Sequence, residues 1–103
     1  DAITVQDLKG QITAWNPGAK RIYGWSEAEA LAMNTRDRIP LERREEELAL
    51  LNQLSRAEIL EPYQTQRLTK QGEVINVRII ATALLDAAGQ IYAVATTERP
   101  VLV

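Results

Sequence analysis

The chain has 103 residues, with 12 basic and 14 acidic side chains and a formal charge of −2; that is the length of one domain, with no basic block to favour nucleic acid. It contains no cysteine and no histidine, which excludes disulfides, thiolate metal centres, thiol-adduct chemistry, the usual haem ligand and histidine-activated nucleophiles. The 46% apolar fraction is that of a folded globular protein, and no apolar run approaches the roughly 20 residues of a membrane span.

Residues 2–6 alternate apolar and polar, as a half-buried strand does. Asp7-Leu8-Lys9-Gly10 supplies a turn, since Asp can bond the backbone two residues on and Gly tolerates positive φ. Residues 11–15 form the second strand of the hairpin, with Ile12 and Ala14 on one face and Thr13 and Trp15 on the other. Asn16-Pro17 then reads as a helix start, because Asn accepts an orphan amide and Pro loses nothing at the first helical position. A short helix over 17–23 ends at Gly24. Ser26-Glu27-Ala28-Glu29 matches a capping box and opens a second short helix over 27–32. Trp25, just before that cap, sits where a hydrophobic staple belongs.

Residues 33–39 are polar and irregular, with room for one helical turn capped by Thr35. Pro40 opens the longest helix, over 41–54, whose Leu41, Leu48, Leu51 and Leu54 form an apolar stripe. Glu42, Glu45, Glu46 and Glu47 crowd its acidic N-terminal half as a solvated face, and Arg43 can pair with Glu47. Three strands complete the chain, over 63–70, 73–85 and 90–99, separated by Gln71-Gly72 and by Asp86-Ala87-Ala88-Gly89. On the long strand Ile75, Val77, Ile79, Ala81, Ala83 and Leu85 make an unbroken apolar face. On the last, alternation places Ile91, Ala93, Ala95 and Thr97 on one face and Tyr92, Val94, Thr96 and Glu98 on the other. The order β-β, a block of short helices, then β-β-β predicts an α+β fold in one domain, residues 1–103: an antiparallel sheet with helices on one face.

These pieces together resemble a PAS domain, the sensor module of many bacterial signalling proteins. The matching residues are Asp1-Ala2-Ile3-Thr4-Val5 with Asp7-x-x-Gly10-x-Ile12, Asn16-Pro17-x-Ala19, Tyr23-Gly24-Trp25-Ser26-x-x-Glu29, Arg67-Leu68-Thr69-Lys70-x-Gly72 and Asp86-x-x-Gly89. The resemblance implies a five-stranded sheet in the order 2-1-5-4-3 and a helical wall around a small central cavity. In the family that cavity takes haem, flavin, small carboxylates or nothing, and the domains commonly dimerise and signal to an attached effector. One departure is at the C-terminal end, where Pro100 occupies the Asp position of the family's Arg-Asp-Ile-Thr ending.

No cofactor is expected. Haem lacks its histidine, and Met33 alone is a weak ligand. A cysteinyl flavin is disfavoured because Asn34-Thr35-Arg36 stands where the photosensors carry Asn-Cys-Arg. The flavin-contacting positions of the later strands are occupied by Arg67, Val77 and Ala95. The small residues Ala14, Ala81, Ala83, Ala93 and Ala95 leave room for an unidentified small molecule. The candidate ligand-binding residues are Asn34, Thr35, Ala81, Ala95 and Thr97, although Asn16 and Thr35 also have capping roles that need no ligand. No catalytic or metal-binding residue is assigned, and no enzymatic activity is expected.

The opposite sheet face is expected to expose Trp15, Ile80, Tyr92 and Val94, an apolar patch suited to a homodimer interface. The reading is a cytoplasmic sensory or signal-relay module of a larger bacterial protein. Its effector would be of kinase, cyclase or methyltransferase type, without nucleic-acid or membrane contacts of its own. The alternative is a ligand-free dimerisation or scaffold module.

Overall fold

The structure, a computed structural model, describes residues 1–56 and 59–102. Its strands are β1 (Ala2–Asp7), β2 (Ile12–Trp15), β3 (Tyr63–Leu68), β4 (Val74–Leu85) and β5 (Ile91–Pro100). They form one antiparallel sheet in the order β2-β1-β5-β4-β3. Between β2 and β3 come α1 (Pro17–Tyr23), α2 (Glu27–Ala30), 3-10 turns at Thr35–Arg38 and Leu41–Arg43, and α3 (Arg44–Ser55). This segment covers one face of the sheet, as the sequence predicts.

The short helices start where their caps dictate. Asn16 Oδ1 accepts from Ala19 N at 2.8 Å and from Ile3 N at 2.9 Å, and its Nδ2 donates to Asp1 O at 3.2 Å. One side chain thus caps α1 and ties it to β1. The approach leaves no space at Gly18, where a Cβ would lie 2.1 Å from Asp1 O. Ser26 and Glu29 form the expected capping box of α2. At the next turn the cap is Asn34 rather than Thr35: its Oδ1 accepts from Arg36 N at 3.1 Å, while Asp37 accepts from Asn34 N at 3.0 Å.

The long helix departs from expectation in its first turn. Leu41–Arg43 is a 3-10 turn and the α-helix begins at Arg44. Only Leu41 of the stripe falls in that turn; Leu41 and Leu48 are 74% and 43% exposed, while Leu54 is buried. Within α3, Glu47 shares the face of Leu51 and Leu54, spaced i, i+4, i+7, and is buried with Leu54, so the acidic cluster is not wholly solvated. Arg43, just outside the helix, donates from Nε to Gln66 Oε1 at 2.9 Å instead of pairing with Glu47.

Two β-bulges decide which side chains enter the core. Along β1 and β2, Val5 pairs with Ala14 and Gln6 with Ile12, so Thr13 is an extra residue. Ile12 and Trp15 therefore point the same way, although strict alternation would separate them. Along β4 and β5, Leu84 pairs with Ala93 and Leu85 with Ile91, so Tyr92 is the extra residue. Beyond it, Val94 lies opposite Ala83, Thr96 opposite Ala81 and Glu98 opposite Ile79, all facing the helices. Each bulge falls six residues after the Asp of an Asp-x-x-Gly turn, Asp7 and Asp86.

These bulges correct the expected faces. Trp15 and Val94, assigned to the outer face, are 3% and 2% exposed and belong to the core. Ala95 and Thr97, assigned to the pocket, stand on the outer face with Ala14, beside Val5 and Ile3 of β1. Ile80 and Tyr92 are half exposed, as expected.

Asn16→Ala should lower stability by about 1–2 kcal/mol, since it removes a helix cap and a strand tie together. Urea denaturation checks this; a change below about 0.3 kcal/mol would contradict the role given to Asn16.

Candidate functional site

The space between helices and sheet is crossed by charged side chains. Arg38, from the turn after Asn34, reaches Glu98 of β5 with two parallel hydrogen bonds: Nη1 to Oε1 and Nη2 to Oε2, each 3.0 Å. Both side chains are essentially inaccessible to solvent. Tyr23 Oη donates to Glu98 Oε1 at 2.5 Å, Thr96 Oγ1 donates to Oε2 at 2.7 Å, and Thr96 shares a further hydrogen bond with Thr4. The guanidinium carbon lies 5.1 Å from the Trp15 ring centroid and 4.9 Å from that of Tyr23, a cation–π seat in a dry interior. Trp15 is itself held, its Nε1 donating to Trp25 O at 2.9 Å.

The electrostatics follow from this geometry. Burial pushes the Glu98 carboxyl up, but the Arg38 guanidinium, then Arg67 and the Tyr23 hydroxyl, outweigh it and hold the group at about 2. Burial and the adjoining Glu98 carboxylate push the Tyr23 phenol far above its ordinary range.

A second pair lies beside the first. Arg67 of β3 donates from Nη1 to Glu47 Oε2 of α3 at 2.6 Å, and the same oxygen accepts from Thr65 Oγ1 at 2.5 Å. Burial disfavours the Arg67 charge, yet Glu98 and Glu47 together raise its pKa above the ordinary arginine value. Burial likewise pushes the nearby Tyr63 hydroxyl up to about 12. The interior thus carries two cations and two anions from four separate elements.

Of the candidate ligand residues, the structure brings only Thr35 and Ala81 to the inner side as buried groups. Thr35 Oγ1 donates to Gln6 Oε1 at 2.6 Å and its amide to Gly10 O at 2.7 Å. Asn34 is committed to its cap and to Lys9 O, at 2.9 Å. Ala81 lies instead in an apolar cleft of about 380 Å³, with Leu54, Ile59, Leu60, Thr82, Ala83, Leu85 and Ile91. No cluster of metal-ligating side chains occurs among the described residues, and no helix there is long and apolar enough to cross a membrane.

The family profile described as PAS fold matches residues 1–99. The chain belongs to the PAS family. A PAS domain from Colwellia psychrerythraea superposes with a TM-score of 0.90 at 20% identity, covering 97% of this chain and 85% of that one. A light-oxygen-voltage domain studied with a flavin analogue gives 0.83 at 18%, covering 98% and 77%. A PAS domain of a two-component sensor histidine kinase gives 0.78 at 18%, covering 97% and 84%. No curated protein matches the chain. PAS domains are in general sensory and signalling modules, and the PAS sheet order and helical cover are those of this chain.

The PAS interior residues missed by alternation are Arg38, Glu98, Arg67, Glu47 and the hydroxyls that serve them. The available signal was that Glu98 shares its strand face with Val94 and Thr96 rather than with Arg99: charged groups on such a face are buried only when paired.

The folded pKa of Glu98 lies below the ordinary 4.5, so its contribution to stability is complete above that value and is lost as pH falls toward about 2. Glu98→Gln should cost about 3–5 kcal/mol at pH 7, because Arg38 loses its counter-charge. It should also flatten the dependence of stability on pH between about 4.5 and 2. Urea denaturation at pH 7 and pH 3 reads both effects; equal pH slopes in the two proteins would contradict the assignment.

Proposed function

We propose that this PAS domain is a signal-relay module of a larger signalling protein, cytoplasmic and without catalytic activity. In this reading it works as a homodimer through its outer sheet face and acts on an effector of kinase, cyclase or methyltransferase type. The observation that carries the reading is the outer row formed by Ile3, Thr97 and Ile80, paired across β1, β5 and β4. Ile3 and Ile80 are 49% and 48% exposed, and Val5, Ala14 and Ala95 continue the apolar surface. Two branched side chains half in water, on strands either side of β5, favour a second copy as cover. The interface differs from the one alternation suggests: Ile80 remains, Ile3 joins it, and Trp15 and Val94 drop out.

The interior supports relay without a bound cofactor. Arg67 stands where the flavin photosensors place a ring-contacting Asn, and it is ion-paired to Glu47. The Arg38–Glu98 pair lies over the sheet between the aromatic rings. Such a centre does not suit an isoalloxazine, whose polar edge would meet charges already paired with one another. A second reading, an unidentified small apolar ligand, is favoured only by the cleft over Ala81 and Ala83, whose volume is at the low end of small-molecule sites.

Ile80→Glu should weaken self-association about tenfold or more while leaving the thermal midpoint nearly unchanged, measured by sedentimentation-equilibrium mass and by thermal denaturation. A wild-type protein that is monomeric at high micromolar concentration, or a variant that associates as strongly as wild type, would contradict the interface. Native mass spectrometry of the purified domain separates the two readings, since a retained small molecule would favour the second.

A further inference from the structure

The outer face of the sheet is patterned about β5, its middle strand. One row across it holds Asp1, Arg99 and Arg78, the next Ile3, Thr97 and Ile80, and the next Val5, Ala95 and Thr82. In each row the central residue comes from β5, flanked by β1 (or Asp1 just before it) and β4. Ile3 and Ile80 are therefore alike on either side of β5, while Asp1 and Arg78 are opposite in charge. Thr97 and Ala95 keep the column between them low.

The charges in the first row are unevenly matched within one copy. Arg99 holds the Asp1 carboxylate through two nitrogens, at 3.0 and 3.1 Å. Arg78 stands directly across from Arg99. It is exposed and has no hydrogen-bond or ion-pair partner among the described residues. Like charges directly opposite on neighbouring strands are unfavourable. Asp1, Arg78, Ile80, Thr97 and Arg99 also line a hollow of about 140 Å³, close to the size of a cavity that takes one benzene ring. It has room for one branched aliphatic side chain.

We propose that two copies of this chain meet about a two-fold axis running along β5, so that Ile3 of each copy enters the hollow beside the partner's Ile80 and Asp1 of each copy pairs with the partner's Arg78. This rests on the outer-face homodimer and fixes its register. A two-fold interface must be complementary to itself, and the other in-plane axes fail that condition. An axis across the strands sets Arg78 against Thr82 and Asp1 against Val5, with no counter-charge for either. An axis between β5 and β4 opposes Arg99 to Arg78. An axis between β1 and β5 lays Ile80 over Asn16, the neighbour of Ile3. Only the axis on β5 gives each isoleucine an isoleucine and the unpaired arginine a carboxylate. Aligned sheets cross at about 30°, a rotation that the long Arg78 side chain can follow.

The test uses wild type, Arg78→Glu, Asp1→Lys and an equimolar mixture of the two variants. Association is read by sedimentation equilibrium at about 0.15 M salt, where exposed charges more than about 8 Å apart are screened. Each variant alone should associate about tenfold or more weakly than wild type, because attraction turns to repulsion at two symmetry-related contacts. The mixture should return to within about threefold of wild type. Its heterodimer pairs Asp1 with Arg78 at one contact and the introduced lysine with the introduced glutamate at the other. A folding defect in either variant would not be repaired by mixing. A mixture no tighter than its components, or either variant as tight as wild type, would overturn the axis; if wild type is still dimeric and Ile80→Glu still weakened, the outer-face dimer stands without it. A monomeric wild type would remove both.

Discussion

The buried contact of Arg38 with Glu98 is the constraint on which the rest of the molecule depends. Taking two charges out of water costs several kcal/mol per ion unless geometry and additional hydrogen bonds offset it. Here the offset comes from paired contacts, from Tyr23 and Thr96, and from the two ring faces. These groups come from β2, α1 and β5. Their convergence fixes β5 against the turn at Thr35–Arg38 and seats both against α1. A slip of β5 by one residue would turn Glu98 out and bring Arg99 or Thr97 toward Arg38, leaving that cation without an anion. The pair therefore specifies register as well as filling the centre.

The same strand links interior to surface. Glu98 points into the core, while its neighbours Thr97 and Arg99 point out, where Arg99 engages the Asp1 carboxylate at 3.0 and 3.1 Å. That exposed pair contributes little energy, but it joins the two ends of the described chain next to Ile3 and Ile80. A displacement of Glu98 would be felt directly at the outer row. In a PAS domain whose last strand carries Pro100 in place of the family's usual Asp, this inward glutamate gives the strand another means of coupling to the helical wall.

Much of the fold was legible in the sequence because local chemistry and global pattern agreed. Asn16-Pro17, the Ser26 capping box and the two Asp-x-x-Gly turns each have one structural meaning, and all recur in the structure. Facing was less legible. Alternation is exact only while the strand ladder is regular, and the extra residues Thr13 and Tyr92 invert it near the starts of β2 and β5. The inversions moved Trp15, Val94 and Glu98 inward and Ala95 and Thr97 outward. The acidic run on α3 misled for a different reason: Glu47 lies at i, i+4, i+7 with Leu51 and Leu54, on the face turned to the sheet, where Arg67 offers it a counter-charge. Polar core groups are the hardest to read from a sequence, since their burial depends on partners far away in the chain, 60 residues for Arg38 and Glu98.

The most direct measurement of the central claim is a double-mutant cycle on that pair, using Arg38→Met, Glu98→Leu and the two combined, read by urea denaturation at pH 7. The account predicts strong non-additivity: each single variant strands a buried charge, while the double variant replaces both charges by apolar groups and loses far less than the sum, with a coupling of about 2–3 kcal/mol. Additivity within about 0.5 kcal/mol would show that the two side chains do not meet in the core, and the inward facing of β5 would fall with it.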